Sequence, residues 1–380
     1  GGDVQAAVGV DYRRETYEFN GSEAAAANMP DIFNVAFDNV NALEPRDRTV
    51  KAAYAEVLFP ILRELDITAA IRVDDYTGFG TTTNPKISIK YRPWEPLMFR
   101  ASYNTSFRVP SFNQIFNGIT ESPTNTGANI ADPETCPTPT APTPSIPGCA
   151  LIEPTIFTGG NPELGPETAE QFSAGVVFQP SRYFSASVDW WKIDVDDTIQ
   201  ELTFRQLLEN YTLFPDRFLR ENGVLTGIDA TWANAGARRT QGLEVALRGG
   251  FETGFDGLLS FGLDGSYLLK KKEKLTQDAE FGDSLIGVFT YTGDLGIRSK
   301  HNAFIRWAND DWAMSLTQIF RGGYKNNALP GILSGAITRP DYNENVDDYI
   351  IYNASVSYNG LGPNYRLKLG VRDLFDTDPP

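Results

Sequence analysis

The residue types that most often perform chemistry are sparse in this chain. It has two cysteines, Cys136 and Cys149, which enclose the proline-rich run PTPTAPTPSIPG, and a single histidine, His301. Two thiols this close predict a disulfide in an oxidising compartment, with a pair of free thiols as the alternative. A zinc site would need four ligands, and His301 is far away in sequence. Because no serine or cysteine nucleophile accompanies it, we interpret His301 as structural or interfacial.

Paired carboxylates are the second set of residues that could do chemistry. They are Asp74–Asp75, Asp194 with Asp196 and Asp197, Asp310–Asp311, and Asp347–Asp348. Calcium binds several oxygens, but none of these stretches reproduces a known calcium loop, so we interpret them as solvated strand ends. The chain also lacks a glycine-rich phosphate loop. The sequence therefore predicts a protein that is not an enzyme and has no resident metal or cofactor.

Alternation of apolar and polar residues is the strongest structural signal. In LDITAAIRVDD, every second residue from Leu65 to Val73 is apolar. Asp66, Thr68, Arg72 and Asp74 fall on the other face. A period of two is typical of a strand with one apolar and one wet face.

Thirteen such segments predict an all-β chain of antiparallel strands. They cover approximately residues 4–19, 49–59, 65–76, 85–92, 97–107, 170–178, 183–194, 242–249, 258–269, 295–307, 312–320, 349–358 and 365–373. Apolar spacing near three and four in TFRQLLENY and PDRFLREN predicts two short helices inside the long connection 196–237. No window approaches the roughly 20 apolar residues that a membrane-spanning helix requires.

The connections between these segments are alternately short and long. The short turns fall near Pro60, Pro93, Pro180, Phe251, Asp310 and Gly362. The longer loops, together with residues 77–84, fall at the opposite edge of the sheet. This sorting is typical of bacterial outer-membrane barrels, which have short periplasmic turns and long outer loops. Aromatic residues near strand ends fit interfacial girdles, although aromatics are enriched in any strand.

The strand count indicates an incomplete barrel. With thirteen antiparallel strands the first and last run in the same direction, whereas bacterial single-chain barrels have even counts. An open sheet in lipid would leave unpaired backbone groups at two edges. We therefore expect at least one further strand after Pro380 in the whole protein.

The charge balance excludes one partner and suggests another. The chain has 33 basic and 49 acidic residues, a net charge of −16, whereas a nucleic-acid partner needs a basic surface. The run KKKEK (Lys270–Lys274) is a local exception at the predicted start of an outer loop. There it could contact lipopolysaccharide phosphates, or form an ordinary solvated loop.

Four segments resemble the TonB-dependent outer-membrane receptors. They are RASYNTSFRVPSFNQIFNG (Arg100–Gly118), GNPELGPETAEQFSAGVVFQP (Gly160–Pro180), RRTQGLEVAL (Arg238–Leu247) and LKLGVRDLFDTDPP (Leu367–Pro380). The loop TIQELTFRQLLENYTLFPDRF is similar to an outer loop with helices in one branch of the family. The resemblance implies that residues 1–380 are the carboxyl-terminal part of a transmembrane β-barrel of about twenty-two strands, beginning at about the ninth.

The resemblance also implies a function. Such receptors bind a scarce ligand (a siderophore, cobalamin or oligosaccharide) at their outer loops and import it with energy from the TonB complex, through an amino-terminal plug. We expect the plug, the TonB box, the earlier strands and the last strand to lie outside this sequence. Candidate ligand contacts in the outer loop are Asn113, Gln114, Phe116 and Asn117. The expected location is the Gram-negative outer membrane, in contact with lipid and lipopolysaccharide. The alternatives are a passive porin and a soluble all-β binding protein.

Overall fold

One antiparallel sheet of thirteen strands dominates the computed structural model, which describes residues 2–18, 45–124, 126–254, 256–289, 295–326, 343–362 and 365–379. Each strand of this sheet pairs with the next one along the chain. The strands are β1 (Gln5–Tyr17), β2 (Arg46–Pro60), β3 (Leu65–Tyr76), β4 (Gly80–Trp94), β5 (Leu97–Arg108), β6 (Glu167–Ser181), β7 (Phe184–Asp196), β8 (Ala237–Glu252), β9 (Leu258–Lys274), β10 (Ser299–Ala308), β11 (Trp312–Arg321), β12 (Tyr349–Tyr358) and β13 (Leu367–Val371). The prediction of an all-β chain with an open set of thirteen antiparallel strands is confirmed.

The two faces of the sheet differ in the way that the sequence predicts. On β3, Ile71 and Val73 are 46% and 37% exposed, whereas Asp74 is only 3% exposed. Residues paired across strands share a face, so Val8 and Val10 of β1, at 80% and 87% exposure, belong with Ile71. We call this apolar surface the lipid face, because exposed apolar area of this extent is stable against hydrocarbon. The opposite, polar surface is the lumen face.

The connections are sorted by length, with one correction. Short turns join β2 to β3, β4 to β5, β6 to β7, β8 to β9, β10 to β11 and β12 to β13, so they share one end of the sheet. At the long-loop end, residues 77–84 were predicted to form a connection, but β4 begins at Gly80 and only 77–79 form the turn. The prediction was wrong because residues 81–83 are threonines, which favour strand, and they pair with β3. The connection between the first two predicted strands (4–19 and 49–59) lies mostly outside the described residues.

The two longest loops, residues 109–166 and 197–236, pack together into what we call the loop module. Its four-stranded sheet has the order Phe218–Glu221, Val224–Asp229, Thr155–Thr158, Thr120–Pro123. The middle pair, Thr155–Thr158 and Val224–Asp229, is parallel and joins one loop to the other. The module has its own core of fully buried side chains, including Ile130, Leu207, Leu208 and Ile228. The largest described hydrophobic cluster therefore lies outside the main sheet.

Two helices form in the loop module, and one predicted helix is absent. Helix α1 covers Phe112–Phe116 and helix α2 covers Phe204–Glu209, which confirms the first predicted helix of the second loop. The second prediction was wrong, because Pro215–Arg217 form a 3-10 turn and Phe218–Glu221 a strand. Asn222 and Gly223, with φ of 50° and 81°, make the hairpin turn that ends this strand. Among the described residues, no helix is long and apolar enough to cross a membrane.

The cysteine pair lies inside the loop module. Cys136 and Cys149 are joined as a disulfide with a Cα–Cα distance of 4.7 Å. Both residues are buried beside Ala131. The bond closes the proline-rich run 137–148 against the module, which gives this irregular segment a covalent anchor.

Candidate ligand-binding site

The four predicted ligand contacts lie on or beside α1, at the long-loop end of the sheet. Ser111 caps the helix, since its backbone N–H donates to Gln114 Oε1 (2.9 Å) and its Oγ accepts from Gln114 N–H (3.4 Å). The side chain of Gln114 is therefore used to begin the helix. Asn117 ends it by donating its N–H to the carbonyl of Asn113 (3.2 Å). Asn113 and Phe116 project from the helix, with Asn113 exposed and Phe116 half-buried.

Helix α1 lies against arginines and a tyrosine from the first two strands. Tyr17 stacks on Phe112 with a centroid distance of 5.6 Å, and Phe112 stacks on Phe116 at 6.2 Å. The guanidinium of Arg48 lies 4.7 Å from the centre of the Phe112 ring, and that of Arg46 lies 5.0 Å from Phe116. We call Tyr17, Arg46, Arg48, Phe112 and Phe116 the arginine–aromatic cluster. Cations over ring faces attract the ring quadrupole, which holds the helix and the strands in one arrangement.

The two arginines of this cluster have different environments. Arg48 is mostly buried and donates Nε to Glu15 Oε2 (2.6 Å) and Nη1 to the Pro110 carbonyl (2.7 Å). Arg46 is exposed and contacts the ring of Phe116. Arg48 therefore positions the cluster, whereas Arg46 presents its charge to solvent.

The lumen face continues from the cluster toward the middle of the sheet. Arg13 donates to the Tyr76 hydroxyl (2.9 Å), and the Tyr76 ring meets Phe107 edge-on at 5.4 Å. Arg72 pairs with Asp74 (2.9 Å) and Asp11 (3.3 Å). A cavity of about 520 Å³ opens beside these residues, and its other polar lining includes Tyr54, Glu56, Asn84, Lys86, Asn104 and Ser106. The cluster and the cavity together form a polar, aromatic path along the lumen face.

The arginines were missed by reasoning from the sequence. Arg46 and Arg48 lie more than 60 positions before α1, yet both contact its rings, and the register of β1 and β2 sets Arg46 opposite Tyr17. The sequence does contain one signal for them, because the run Arg46–Arg48 (RDR) stands at the start of a strand, next to the end of β1 at Tyr17. Only pairing across strands shows which residues share this corner.

Several of the remaining candidate residues have partners of their own. Asp194 binds Lys192 (2.7 Å) and Arg239 (3.1 Å), and Asp348 accepts from the Gly323 N–H (2.6 Å). His301 stacks on Phe320 at 4.7 Å and shares a 3.0 Å hydrogen bond with Gln318. Within the described residues, no three His, Cys, Asp or Glu side chains are grouped so that they could hold a metal ion.

Comparison with known proteins assigns the family. The chain matches the model of the TonB-dependent receptor-like β-barrel family over residues 1–374. The siderophore receptor PirA from Acinetobacter baumannii has a TM-score of 0.64 at 17% identity, over 98% of this chain and 48% of that one. A mutant of the ferric enterobactin receptor PfeA from Pseudomonas aeruginosa, in complex with enterobactin, has a TM-score of 0.67 at 15% identity, over 98% and 46%. The FrpB iron transporter from Neisseria meningitidis has a TM-score of 0.55 at 14% identity, over 98% and 48%.

These structures share the fold with this chain, which spans about half the length of each. No curated protein matches it. The family match, the thirteen-stranded sheet and its exposed apolar face agree with one another. The chain belongs to the TonB-dependent receptor family, and its strands form part of that family's outer-membrane β-barrel.

Proposed function

We propose that this protein is an outer-membrane receptor that binds an anionic, ring-bearing iron chelate of the siderophore class and imports it with energy from the TonB complex. The arginine–aromatic cluster is the observation that carries the proposal. It joins an exposed guanidinium, Arg46, to the rings of Phe116 and Phe112 at the long-loop end, on the side of the cavity that Arg72, Asp74 and Tyr76 help to line.

The chemistry of the cluster suits this class of ligand. Guanidinium groups form charge-assisted hydrogen bonds to carboxylate and other anionic oxygens. Aromatic side chains stack on planar rings. On a chain of net charge −16, a local cation beside stacked rings favours an anionic chelate over a neutral oligosaccharide.

Family membership supports the rest of the mechanism. Relatives with the same fold are named as a siderophore receptor, a ferric enterobactin receptor and an iron transporter. We therefore assign residues 1–380 to the carboxyl-terminal part of the barrel domain, and coupling to TonB to a plug domain of the whole receptor. Capture at the long-loop end is the step to which the described residues contribute.

The test uses the full-length receptor in a strain that lacks its other siderophore receptors. Binding and uptake of ⁵⁵Fe-labelled catecholate, hydroxamate and carboxylate siderophores are measured for wild type and for Arg46→Gln. We expect Arg46→Gln to raise the Kd for the cognate chelate by about 10-fold, the value of one charge-assisted hydrogen bond. Arg63→Gln is the matched control, because Arg63 is exposed at a short turn on the opposite end. Saturable binding of cobalamin or a neutral sugar, with no binding of any iron chelate, would contradict the proposal.

Active uptake is separated from passive diffusion by the energy source. In a strain without TonB, we expect binding of the chelate to persist while its accumulation stops. Accumulation that continues at the wild-type rate would support a passive porin instead.

A further inference from the structure

A β-bulge arranges the charges of the run Lys270–Lys274. In the β8–β9 pair, Gln241 lies opposite Lys270, whereas its neighbour Gly242 lies opposite Leu268. Leu269 is therefore the extra residue of a bulge. The bulge shifts the alternation of side chains by one position, so that Lys270 joins Tyr267 on the lipid face.

Beyond the bulge, the two faces of β9 receive different charges. Lys270 and Lys272 lie on the lipid face, opposite Gln241 and Arg239 of β8. Lys271 points to the lumen side and is 5% exposed. Glu273 also points there and accepts a hydrogen bond from Arg238 Nε (2.8 Å). The only acid of the run therefore lies on the opposite face from Lys270 and Lys272.

The lysines of β9 continue into rows across three strands. One row is Lys192, Gln241 and Lys270, and the next is Asp194, Arg239 and Lys272. Neighbouring strands are about 4.8 Å apart and successive rows about 7 Å apart, so the four cations of these rows fall within roughly 12 Å of one another. Arg298, whose guanidinium lies 5.9 Å from the Tyr267 ring centre, adds a fifth. We call Lys192, Arg239, Lys270, Lys272 and Arg298 the basic patch.

The basic patch keeps an excess of positive charge. Asp194 is the acid inside it and binds both Lys192 and Arg239. Among the described residues, Lys270 and Lys272 form no ion pair with an acid. Two lysines on a half-buried strand surface, without partner acids, leave charge available for an anion.

The next row of the lipid face, away from the long-loop end, consists of the aromatic and aliphatic residues that are typical of a membrane interface. Trp190, Leu243 and Tyr267 lie directly opposite one another on β7, β8 and β9. Tyr267 and Leu269 are 42% and 44% exposed. Tryptophan and tyrosine are enriched where the membrane meets water, so the next rows toward the long-loop end lie at the level of lipid headgroups.

We propose that the basic patch is a docking site for the phosphates of lipopolysaccharide in the outer leaflet. The phosphates of the lipid A headgroup contact Lys270 and Lys272, and its acyl chains lie against Tyr267 and Leu269. Charge complementarity at the patch and its continuity with the apolar row below both match an amphiphile with a phosphorylated headgroup. The width of the patch suits a headgroup that carries more than one phosphate.

The test is a titration of the full-length receptor in nanodiscs with diphosphoryl lipid A. We expect Lys270→Gln/Lys272→Gln to bind roughly 30-fold more weakly, at about 1 kcal/mol for each cation at an anionic membrane surface. Lys270→Arg/Lys272→Arg keeps the charge and should bind like wild type. Lys300→Gln/Lys368→Gln is the matched control, since both lysines are exposed on the lumen face. Heat-modifiable mobility on gels verifies that each variant is folded.

Two comparisons decide the outcome, and the first needs no variant. Wild type should bind dephosphorylated lipid A much more weakly than the diphosphoryl form, and equal binding would overturn the proposal. The double glutamine variant should lose affinity for diphosphoryl lipid A but not to the same degree for phosphatidylglycerol nanodiscs. An equal loss of affinity for both lipids would show that the patch binds any anionic lipid surface, and this would overturn the proposal. Unchanged binding of lipid A by the variant would overturn it as well.

Discussion

Asp132 and Arg220, which are 88 positions apart, form a two-pronged ion pair in which Nη1 and Nη2 of the arginine each lie 2.6 Å from a carboxylate oxygen. Both side chains are mostly buried. The pair joins the loop 109–166 to the loop 197–236, beside the parallel strands that unite the loop module. Hydrogen bonds from Arg220 hold the pKa of Asp132 below its ordinary value, so the carboxylate stays charged in the folded module.

The Asp132–Arg220 pair predicts a pH dependence of the loop module. A depressed folded-state pKa adds stability above the unfolded pKa of about 4, and this stability is lost as the pH falls through the folded value. We expect Asp132→Asn to cost about 1.5–3 kcal/mol at neutral pH and to remove the acid dependence below about pH 4. Hydrogen exchange of the module, corrected for intrinsic rates, measures both effects. Glu153→Gln is the control, because Glu153 is an exposed acid of the same loop and lies outside the Asp132–Arg220 pair. An unchanged acid dependence in Asp132→Asn would refute the assignment.

The disulfide predicts a second, covalent contribution to the same module. Unreduced peptide mapping by mass spectrometry should find Cys136 linked to Cys149, and free thiols at both positions would contradict this. Cys136→Ala/Cys149→Ala should destabilise the module by about 3 kcal/mol. Without the bond, the unfolded chain regains the conformational entropy that closing this short loop removes. The measurement is hydrogen exchange over residues 126–152, with the strands of the main sheet as the internal reference.

The assignment of the lipid face predicts that an introduced charge costs more folding free energy on that face than on the lumen face. Ile71→Arg places a charge on the lipid face in the middle of β3 and should cost about 2–4 kcal/mol of folding free energy in vesicles. Ser88→Arg is the matched comparison, since Ser88 lies on the lumen face of β4 opposite Thr68. Urea unfolding of the receptor in lipid vesicles gives both values. Equal costs at the two positions would mean that the faces are assigned wrongly.

Arg48 and Arg46 should separate structural support from ligand contact. Arg48→Gln loses hydrogen bonds to Glu15 and to the Pro110 carbonyl, so it should loosen α1 as well as weaken chelate binding. Arg46→Gln should weaken binding without loosening the helix. Hydrogen exchange at residues 112–117 distinguishes the two variants, and identical protection in both would remove the positioning role of Arg48.

Local patterns in the sequence were sufficient for most of the main sheet. The strand Leu65–Tyr76 was predicted with the bounds that the structure shows, because alternation of side chains depends only on neighbouring residues. The faces followed from the same alternation. The errors came where a local signal was misread. The strand that begins at Gly80 includes three threonines that the sequence analysis assigns to a loop, and the hairpin turn Asn222–Gly223 lies in a segment whose apolar spacing predicts a helix.

Period-two alternation and the family's segments are local properties of the chain, so they suffice to predict a membrane-facing antiparallel sheet of the TonB-dependent receptor type. Which distant residues meet is visible only in the folded molecule. Arg46 and Arg48 of β2 meet the rings of α1, and the bulge in β9 places Lys270 and Lys272 on the lipid face and Glu273 on the lumen face. Pairing between loops joins Asp132 to Arg220. Register and loop packing depend on contacts across many residues, and alternation within one strand carries no information about them.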